Sequence, residues 1–349
     1  MSNQAPSASD QPQKPPQYTR KDFISNVDPR WCLGCGTYAT LNAVTRTFMT
    51  AGISREKFAV ISGIGCSSRL PYYSNTFGFH TLHGRAPAVA MGLKMAKPDL
   101  NVWVITGDGD GLSIGGNHFI HLVRRNPNIK LVLFNNQIYG LTKGQTSPTS
   151  PLGAKTKSTP FGSIDRPMHP LQVALGAGAT FAARVPDTDN EMLYQVLSEA
   201  NKHEGAAIIE VLINCVIFND GVFLPLTEKA TRPETTVKLE AGKPLLFGAN
   251  LDKGIRMKDA VPEVVKVGEG GVPLSEILVH DPANPNSGYA FMLAEMAGPK
   301  LPVPFGILRK IQDHVYQPAK PKPTADGFDK VMRGSGAWMR EETGQIRML

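Results

Sequence analysis

The sequence predicts an α/β fold, a doubly wound parallel sheet followed by an irregular C-terminal extension. Of its 349 residues, 41% are apolar, which is enough to build a substantial core. Between about residues 26 and 225, short β-branched apolar runs alternate with segments of helical periodicity. Strands that alternate with crossover helices form parallel sheets, so this alternation predicts the fold class.

Four short, β-branched apolar runs that end in glycine-rich turns are predicted to be strands. They are residues 58–62, 102–106, 130–134 and 207–213. Four segments carry apolar residues at helical spacing and are predicted to be helices. They are residues 37–50, 86–97, 113–125 and 190–202.

The chain is expected to have three parts. Residues 1–25 are rich in Pro, Gln and Ser, which predicts a disordered or partner-docking tail. Residues 26–225 form the α/β domain. Residues 226–349 are irregular, with one helical candidate near 287–296, and are expected to pack on the core or on a partner subunit. The loop 141–168 lacks periodicity, and loops of this length are usually functional or disordered.

Composition excludes several classes of protein. The net charge is +7, but the Lys and Arg residues are scattered, which argues against a nucleic-acid partner. No apolar stretch approaches the roughly 18 residues of a membrane span, and the first twenty residues lack the core of a secretory signal. Four cysteines are too few for a secreted disulfide scaffold. A cytoplasmic location is therefore expected.

Ligands of such sheets bind at the carboxyl ends of the strands. Three of the predicted strands end there in unusual segments, at residues 63–69, 107–111 and 135–140. We expect these three loops to form the active site.

Gly107-Asp108-Gly109 follows one predicted strand, and Asn135-Asn136 ends the next. A carboxylate and an amide oxygen at one sheet edge suit Mg²⁺, which prefers oxygen ligands and often shares them with phosphates. The helix expected to begin near Ser113 would offer free N–H groups to that charge. A Gly-Asp-Gly segment alone is more often a simple strand-ending turn.

Cys32 and Cys35 form a Cys-x-x-Cys pair ahead of a helix, and Cys66 and Cys215 follow predicted strands. Four thiolates in proximity suit a soft metal or an iron–sulfur cluster. The pair by itself is equally compatible with a thioredoxin-like dithiol, half of a zinc site, or cysteines that only pack. The packing alternative applies most readily to Cys215, because buried structural cysteines in strands are common.

Several segments together resemble the β subunits of 2-oxoacid:ferredoxin oxidoreductases, most closely the 2-oxoglutarate type. They are WCLGCG, GIGCSSR, FHTLHGRA, GDGDG, NNQIYGLTKGQTSPTS and the IFNDG that follows Cys215. The resemblance covers about residues 25–225. It implies the pyrophosphate domain of thiamine-diphosphate enzymes, with one four-iron, four-sulfur (4Fe-4S) cluster.

The same resemblance implies roles for individual residues. Mg²⁺ is expected on Asp108, Asn136 and the backbone carbonyl of Ile138. The cluster is expected on Cys32, Cys35, Cys66 and Cys215. The diphosphate is expected beside Gly109, Asp110, Gly140 and Leu141. Other contacts to the thiamine cofactor are expected from Ile64, Gly65, Cys66, Ser67 and His83.

The implied reaction decarboxylates a 2-oxoacid to its acyl-CoA and passes electrons through the cluster to ferredoxin. The reverse reductive carboxylation would use the same parts. Arg69 and Lys143 are nominated to hold the substrate carboxylates, and His83 to donate a proton or contact the diphosphate. Arg85 is assigned either to a phosphate or to a scaffold carboxylate. His118 and His121 are expected to serve helix packing.

A partner chain is also expected, because residues 226–349 lack the alternating pattern of a second, pyrimidine-binding domain. The predicted assembly is therefore an αβ or α2β2 complex that takes CoA, a 2-oxoacid and ferredoxin. Two alternatives remain open at this point. One is a non-redox thiamine decarboxylase or synthase subunit, and the other is a zinc-stabilised non-catalytic subunit.

Overall fold

The computed structural model describes residues 17–317 together with two short strands, 338–340 and 346–348. It divides into two compact units, Met1–Val315 and Tyr316–Leu349. In the second unit the two short strands pair antiparallel. The part of the predicted tail before residue 17 lies outside the described residues. After it, Phe23 is fully buried in the core of the first unit.

An eight-stranded sheet forms the centre of the first unit, and residues 246–266 form a separate three-stranded antiparallel sheet. The strands are β1 Phe58–Ser62, β2 Phe77–His80, β3 Asn101–Gly107, β4 Ile129–Asn135, β5 Phe181–Pro186, β6 Ala207–Leu212, β7 Thr236–Lys238, β8 Leu246–Phe247, β9 Lys253–Lys258, β10 Val261–Lys266 and β11 Val303–Lys310. The large sheet has the order β2-β1-β3-β4-β6-β5-β11-β7. Its first six strands are parallel, and β11 runs antiparallel to β5.

Helices cover both faces of this sheet. They are α1 Thr37–Thr50, α2 Leu70–Tyr73, α3 Ala86–Ala96, α4 Asp108–Leu112, α5 Gly116–Arg125, α6 Pro170–Gly176, α7 Asn190–Lys202, α8 Leu224–Thr227, α9 Arg232–Thr235 and α10 Ser287–Glu295. Helices α1 and α7 pack on one apolar layer, and α3, α5, α6 and α10 pack on the other. Successive residues of β3 alternate between the two layers, as a strand buried on both faces requires.

The predicted fold class is confirmed, and β1, α1 and α7 have the predicted bounds. One prediction at the site was wrong. The helix expected from about residue 113 begins at Gly116, and a five-residue helix, α4, comes directly after β3. Ser113 separates the two helices because its backbone, at φ −81° and ψ −107°, is not helical.

The loop 141–168 contains no helix or strand. Its backbone is nevertheless paired internally, through hydrogen bonds from Gly153 to Ser163 and from Ser163 to Ala154. The candidate helix near 287–296 is present as α10, while β7 and β11 of the same C-terminal third join the large sheet. Within the described residues, no helix has the length and apolarity needed to cross a membrane.

Candidate functional site

A cavity of about 310 Å³ opens at the carboxyl ends of the parallel strands. It is lined by the loops that follow β1, β3 and β4 and by residues that follow β6. Of the residues predicted for the site, all except Lys143 line this cavity. Lys143 is exposed, beside Leu141 and Thr142, which do line it. The sheet therefore brings together the loops that sequence reasoning selected.

Asp108 is the first residue of α4 and is almost completely buried. One of its carboxylate oxygens, Oδ2, accepts hydrogen bonds from the hydroxyls of Ser147 and Thr149, both at 2.6 Å. Burial raises the pKa of Asp108 to about 6, although these two hydrogen bonds act in the opposite direction. A buried carboxylate of this kind is stabilised by a nearby cation.

Asp110 ties three loops together. Its Oδ1 accepts hydrogen bonds from the backbone N–H groups of Ile64 at 3.0 Å and Gly84 at 2.7 Å, and its Oδ2 accepts one from the Thr106 hydroxyl at 2.5 Å. A Cβ on Gly63 would overlap this carboxylate, so the close approach requires glycine. The carboxylate of Asp110 is thus used by the scaffold that shapes the cavity.

The Asn135-Asn136 pair sets the course of the chain after β4. The Asn135 side chain accepts a hydrogen bond from the backbone N–H of Gln137 at 3.2 Å, and the Asn136 side chain accepts one from Ile138 at 3.2 Å. Gln137 has a φ of +55°, in the left-handed region that non-glycine residues seldom adopt. The side chain of Asn219, in the IFNDG segment, donates to the carbonyl of Asn136 at 2.9 Å.

Tyr139 closes over the turn after β3. Its hydroxyl donates to the carbonyl of Gly109 at 3.1 Å, and a Cβ on Gly109 would overlap its ring. The second glycine of the Gly-Asp-Gly segment is therefore required by the approach of this ring.

The four cysteines lie around the same cavity. A Cβ on Gly140 would stand 3.6 Å from the sulfurs of both Cys66 and Cys215, and the Thr37 hydroxyl donates to the sulfur of Cys35 at 3.2 Å. Burial, and next the neighbouring thiol of Cys35, raises the pKa of Cys66 to about 11. In residues 17–317, no three His, Cys, Asp or Glu side chains converge closely enough to hold a metal ion.

Other predicted residues occupy distinct positions. The buried Ser67 hydroxyl lines the cavity without a hydrogen-bond partner. His83 Nδ1 lies 2.7 Å from Asp110 Oδ1, but the ring N–H is not aligned with that oxygen. The Arg69 guanidinium donates to the carbonyl of Arg30 at 2.8 Å.

Arg85, His118 and His121 are not among the residues that line the cavity. Arg85 Nη1 lies 2.6 Å from Nε2 of His118. Within residues 17–317, Arg85 is not among the residues that form ion pairs. Burial lowers the pKa of His118, with the charge of Arg85 as a further cause. His121 is exposed.

Two comparisons with known proteins decide the family. The model of the thiamine pyrophosphate enzyme C-terminal TPP-binding domain matches residues 63–211. The chain is 49% identical to the 2-oxoglutarate oxidoreductase subunit KorB of Mycobacterium tuberculosis over 311 residues, which cover 89% of this chain and 81% of that protein. The chain belongs to the family of 2-oxoacid:ferredoxin oxidoreductase β subunits.

Further relatives agree. The 2-oxoglutarate synthase subunit KorB of Archaeoglobus fulgidus is 43% identical over 198 residues, 57% of this chain and 73% of that protein. A solved structure, 2-oxoglutarate:ferredoxin oxidoreductase from Magnetococcus marinus with 2-oxoglutarate, coenzyme A and succinyl-CoA bound, matches with a TM-score of 0.70 and 36% identity. That match covers 87% of this chain and 89% of that chain.

As a β subunit of this family, the chain is part of a thiamine-dependent 2-oxoacid oxidoreductase, and the two alternatives left open by the sequence are not favoured. The matched domain contains the three cavity loops after β1, β3 and β4. Cys32, Cys35 and Cys215 lie outside the matched residues 63–211 but within the cavity lining.

Sequence reasoning assigned no role to several residues of the site in this β subunit. Ser147 and Thr149 contact the Asp108 carboxylate, Tyr139 covers Gly109, and Asn135 braces the loop that carries Asn136. The signal was present in the NNQIYGLTKGQTSPTS segment. Its Ser and Thr residues are typical of a loop, and loop composition alone does not indicate which hydroxyls contact a carboxylate.

Proposed function

We propose that this β subunit, together with an α subunit, oxidises 2-oxoglutarate to its acyl-CoA product and transfers the electrons to ferredoxin. The observation that carries the proposal is the shared cavity, in which the Asp108 and Asn136 loops face four cysteines. The names of the relatives support the choice of substrate. The net charge of +7 would favour encounter with an acidic electron-carrier protein.

Asp108, Asn136 and the carbonyl of Ile138 are proposed to hold Mg²⁺, which in turn binds the diphosphate of the thiamine cofactor. The burial and raised pKa of Asp108 fit this role, because a divalent cation compensates the cost of a buried carboxylate. The unpaired Ser67 hydroxyl, aimed into the cavity, fits a cofactor polar group. When bound, thiamine diphosphate supplies the electron sink for decarboxylation.

Other cavity residues are proposed to orient the cofactor. Gly109, Gly140 and Leu141 lie where backbone can approach the diphosphate, and Ile64 and Gly65 line the remaining wall. Asp110 is proposed to act through its backbone here, since its carboxylate is occupied by the scaffold.

Cys32, Cys35, Cys66 and Cys215 are proposed to hold one 4Fe-4S cluster, which supplies one-electron transfer beside the thiamine site. Their arrangement fits a cluster, because a cluster is wider than one metal ion and its ligands surround a space. The pKa values of Cys35 and Cys66 are raised when no cation is bound. Bound iron would lower them, because a metal ion favours the thiolate form. The Thr37 hydroxyl on Cys35 is positioned to tune the cluster potential.

The substrate carboxylates are proposed to contact Arg69 and Lys143. Arg69 lines the cavity, and Lys143 follows Leu141 and Thr142 on an exposed turn at a φ of +74°. A 2-oxoacid with a second carboxylate matches two cations. His83 is proposed to hold or move a proton, since it lines the cavity, its Nδ1 lies against Asp110, and its side chain is 41% exposed.

The test is reconstitution of the chain with its α subunit, thiamine diphosphate and Mg²⁺. CoA-dependent reduction of ferredoxin or a viologen is then measured with 2-oxoglutarate, pyruvate and a branched 2-oxoacid. We expect 2-oxoglutarate to give the highest kcat/KM. Preference for another acid would overturn the substrate, and turnover without CoA or an electron acceptor would favour a non-redox thiamine enzyme.

A further inference from the structure

A buried polar chain crosses the carboxyl end of the sheet and ends on Asp108. Arg184, Glu210 and Asn135 belong to the adjacent strands β5, β6 and β4, Thr149 belongs to the loop 141–168, and Asp108 directly follows β3. Arg184 Nε donates to Glu210 Oε2 at 2.8 Å, and Asn135 Nδ2 donates to Glu210 Oε1 at 2.7 Å. The Thr149 hydroxyl then lies 2.9 Å from Asn135 Oδ1 and 2.6 Å from Asp108 Oδ2.

The pairing of the strands fixes the first part of this chain. Arg184 and Glu210 are direct partners in the parallel ladder of β5 and β6, and their side chains expose only 9% and 3%. Two charges buried in this way are costly unless each has partners of good geometry. The second oxygen of Glu210 holds the amide of Asn135, so the ion pair also determines the orientation of that amide.

The orientation of the Asn135 amide is determined on both sides. Its nitrogen donates to Glu210, and its oxygen accepts from the backbone N–H of Gln137. The oxygen is therefore directed at Thr149. One hydroxyl proton of Thr149 serves two acceptors, and the shorter distance is to Asp108.

Only Asp108 among these five residues lines the thiamine cavity. The others lie outside that lining, so Thr149 acts on the cavity through Asp108, and Asn135 acts through Thr149 and through the loop that carries Asn136. Partners that hold a ligating carboxylate typically change metal affinity by 10–100-fold when removed.

We propose that Thr149, Asn135 and the Arg184–Glu210 pair are positioning residues that hold the Asp108 carboxylate in the orientation that binds Mg²⁺. The inference rests on the proposed role of Asp108 as a metal ligand. It also gives the two asparagines different tasks, since Asn136 faces the cavity and Asn135 connects to the ion pair.

The experiment measures the Kd of Mg²⁺ by calorimetry, in the presence of thiamine diphosphate, on the complex with the α subunit. Thr149→Val removes the hydroxyl and keeps the shape of the side chain. We expect the Kd to rise about tenfold or more. Thr149→Ser, which keeps the hydroxyl, should restore most of the affinity.

Thr180→Val is the matched control. Thr180 exposes 2% of its surface, as Thr149 does, and its hydroxyl contacts Asn126 and His203 at the amino end of the strands. This variant should lower Tm and leave the Kd unchanged. A Thr149→Val complex with wild-type affinity, or an equal loss in both variants, would overturn the proposal.

Two further variants separate this inference from the proposed function. Asp108→Asn should lose Mg²⁺ affinity whether or not the buried polar residues position its side chain. Unchanged affinity in this variant would refute the metal site itself. Asn135→Ala combined with Thr149→Val should cost less than the sum of the two single changes, because Asn135 reaches the Asp108 carboxylate only through Thr149, although it also holds the loop that carries Asn136. Additive losses would contradict a linked chain.

Discussion

Buried polar groups occur at both ends of the parallel sheet, but they serve different purposes. At the carboxyl end, Asp108 and Asp110 lie against an open cavity. At the amino end, Lys130 and His203 are equally buried. Lys130 donates to the carbonyls of His203 and Gly205 and to the side chain of Asn128.

Shifted pKa values are found at both ends, so they do not distinguish the two. Burial raises the pKa of Asp108 to about 6, lowers that of Lys130 to about 7 and lowers that of His203 to about 4. What differs is the surroundings of these groups. Asp108 and Asp110 line a cavity, whereas Lys130 donates to backbone carbonyls and His203 contacts the hydroxyl of Thr180. A shifted pKa therefore indicates burial, and only the open face indicates a site.

The largest effect is expected from removing the buried charge at the cavity. Asp108→Ala should reduce turnover by about two orders of magnitude or more, since several kcal/mol of metal-dependent stabilisation is lost. The measurement is 2-oxoacid-dependent viologen reduction together with thiamine diphosphate binding.

Lys130→Met removes a buried amine and its three hydrogen bonds at the opposite end and is the control. It should lower Tm while the folded fraction keeps its cofactor affinity. Equal loss of cofactor binding in both variants would mean that the two ends do not differ in function.

All four cysteines lie at the cavity end, and replacing any of them should remove the proposed cluster. Cys32→Ser, Cys35→Ser, Cys66→Ser and Cys215→Ser are each expected to lose most of the iron of the purified complex. Metal analysis and absorption near 400 nm, bleached by dithionite, measure this. A colourless wild-type complex that contains zinc would refute the cluster.

Two glycine substitutions, one at the cavity and one at the start of α5, should differ by a smaller factor in cofactor affinity. Gly109→Ala places a Cβ against the Tyr139 ring, so the ring must move and its hydrogen bond to the Gly109 carbonyl must break. We expect a several-fold rise in the Kd of thiamine diphosphate. Gly116→Ala, at the start of α5, meets no atom within 4 Å and should leave that Kd unchanged. Equal affinities in the two variants would contradict the role of Tyr139.

The smallest effect on function is expected at the amino ends of the strands, where His203 changes the pH dependence of stability. The pKa of His203 is lowered from 6.5 to about 4, first by burial and then by the charge of Lys130. Between these values the unfolded state binds more protons than the folded state, so the free energy of unfolding falls as pH falls. For one group the slope is at most about 1.4 kcal/mol per pH unit.

Chemical denaturation at several pH values from 7 to 4.5 measures this slope. His203→Gln should flatten it without changing cofactor affinity at pH 7. An unchanged slope would show that His203 does not carry the pH dependence.

The features that sequence alone predicted are those with local signals. The bounds of β1, α1 and α7 follow from apolar periodicity within a few turns of chain. The Asp108 and Asn136 loops were found because each directly follows a predicted strand. The place of Cys66 and Cys215 in one cavity also follows from strand ends meeting at one edge, whereas Cys32 and Cys35, ahead of α1, reach it only through the folded chain.

The features that were missed depend on distant partners. Strand β5 contains Arg184 in its centre, and this charge is tolerated there only because Glu210 lies opposite on β6. Thr149 acquires its role from Asp108, 41 residues earlier. Neither contact leaves a periodic trace, so propensity and pattern could not indicate it.

The last strand of the large sheet has a consequence for the order in which the protein forms. Residue 306 of β11 pairs with residue 184 of β5, which itself holds the Arg184 end of the polar chain. During synthesis, β5 therefore remains an uncovered sheet edge until more than a hundred further residues have left the ribosome. Such long-range pairing is slow, and the nascent chain is exposed to aggregation during that interval. Completion of the large sheet is thus expected to wait until β11 has been synthesised.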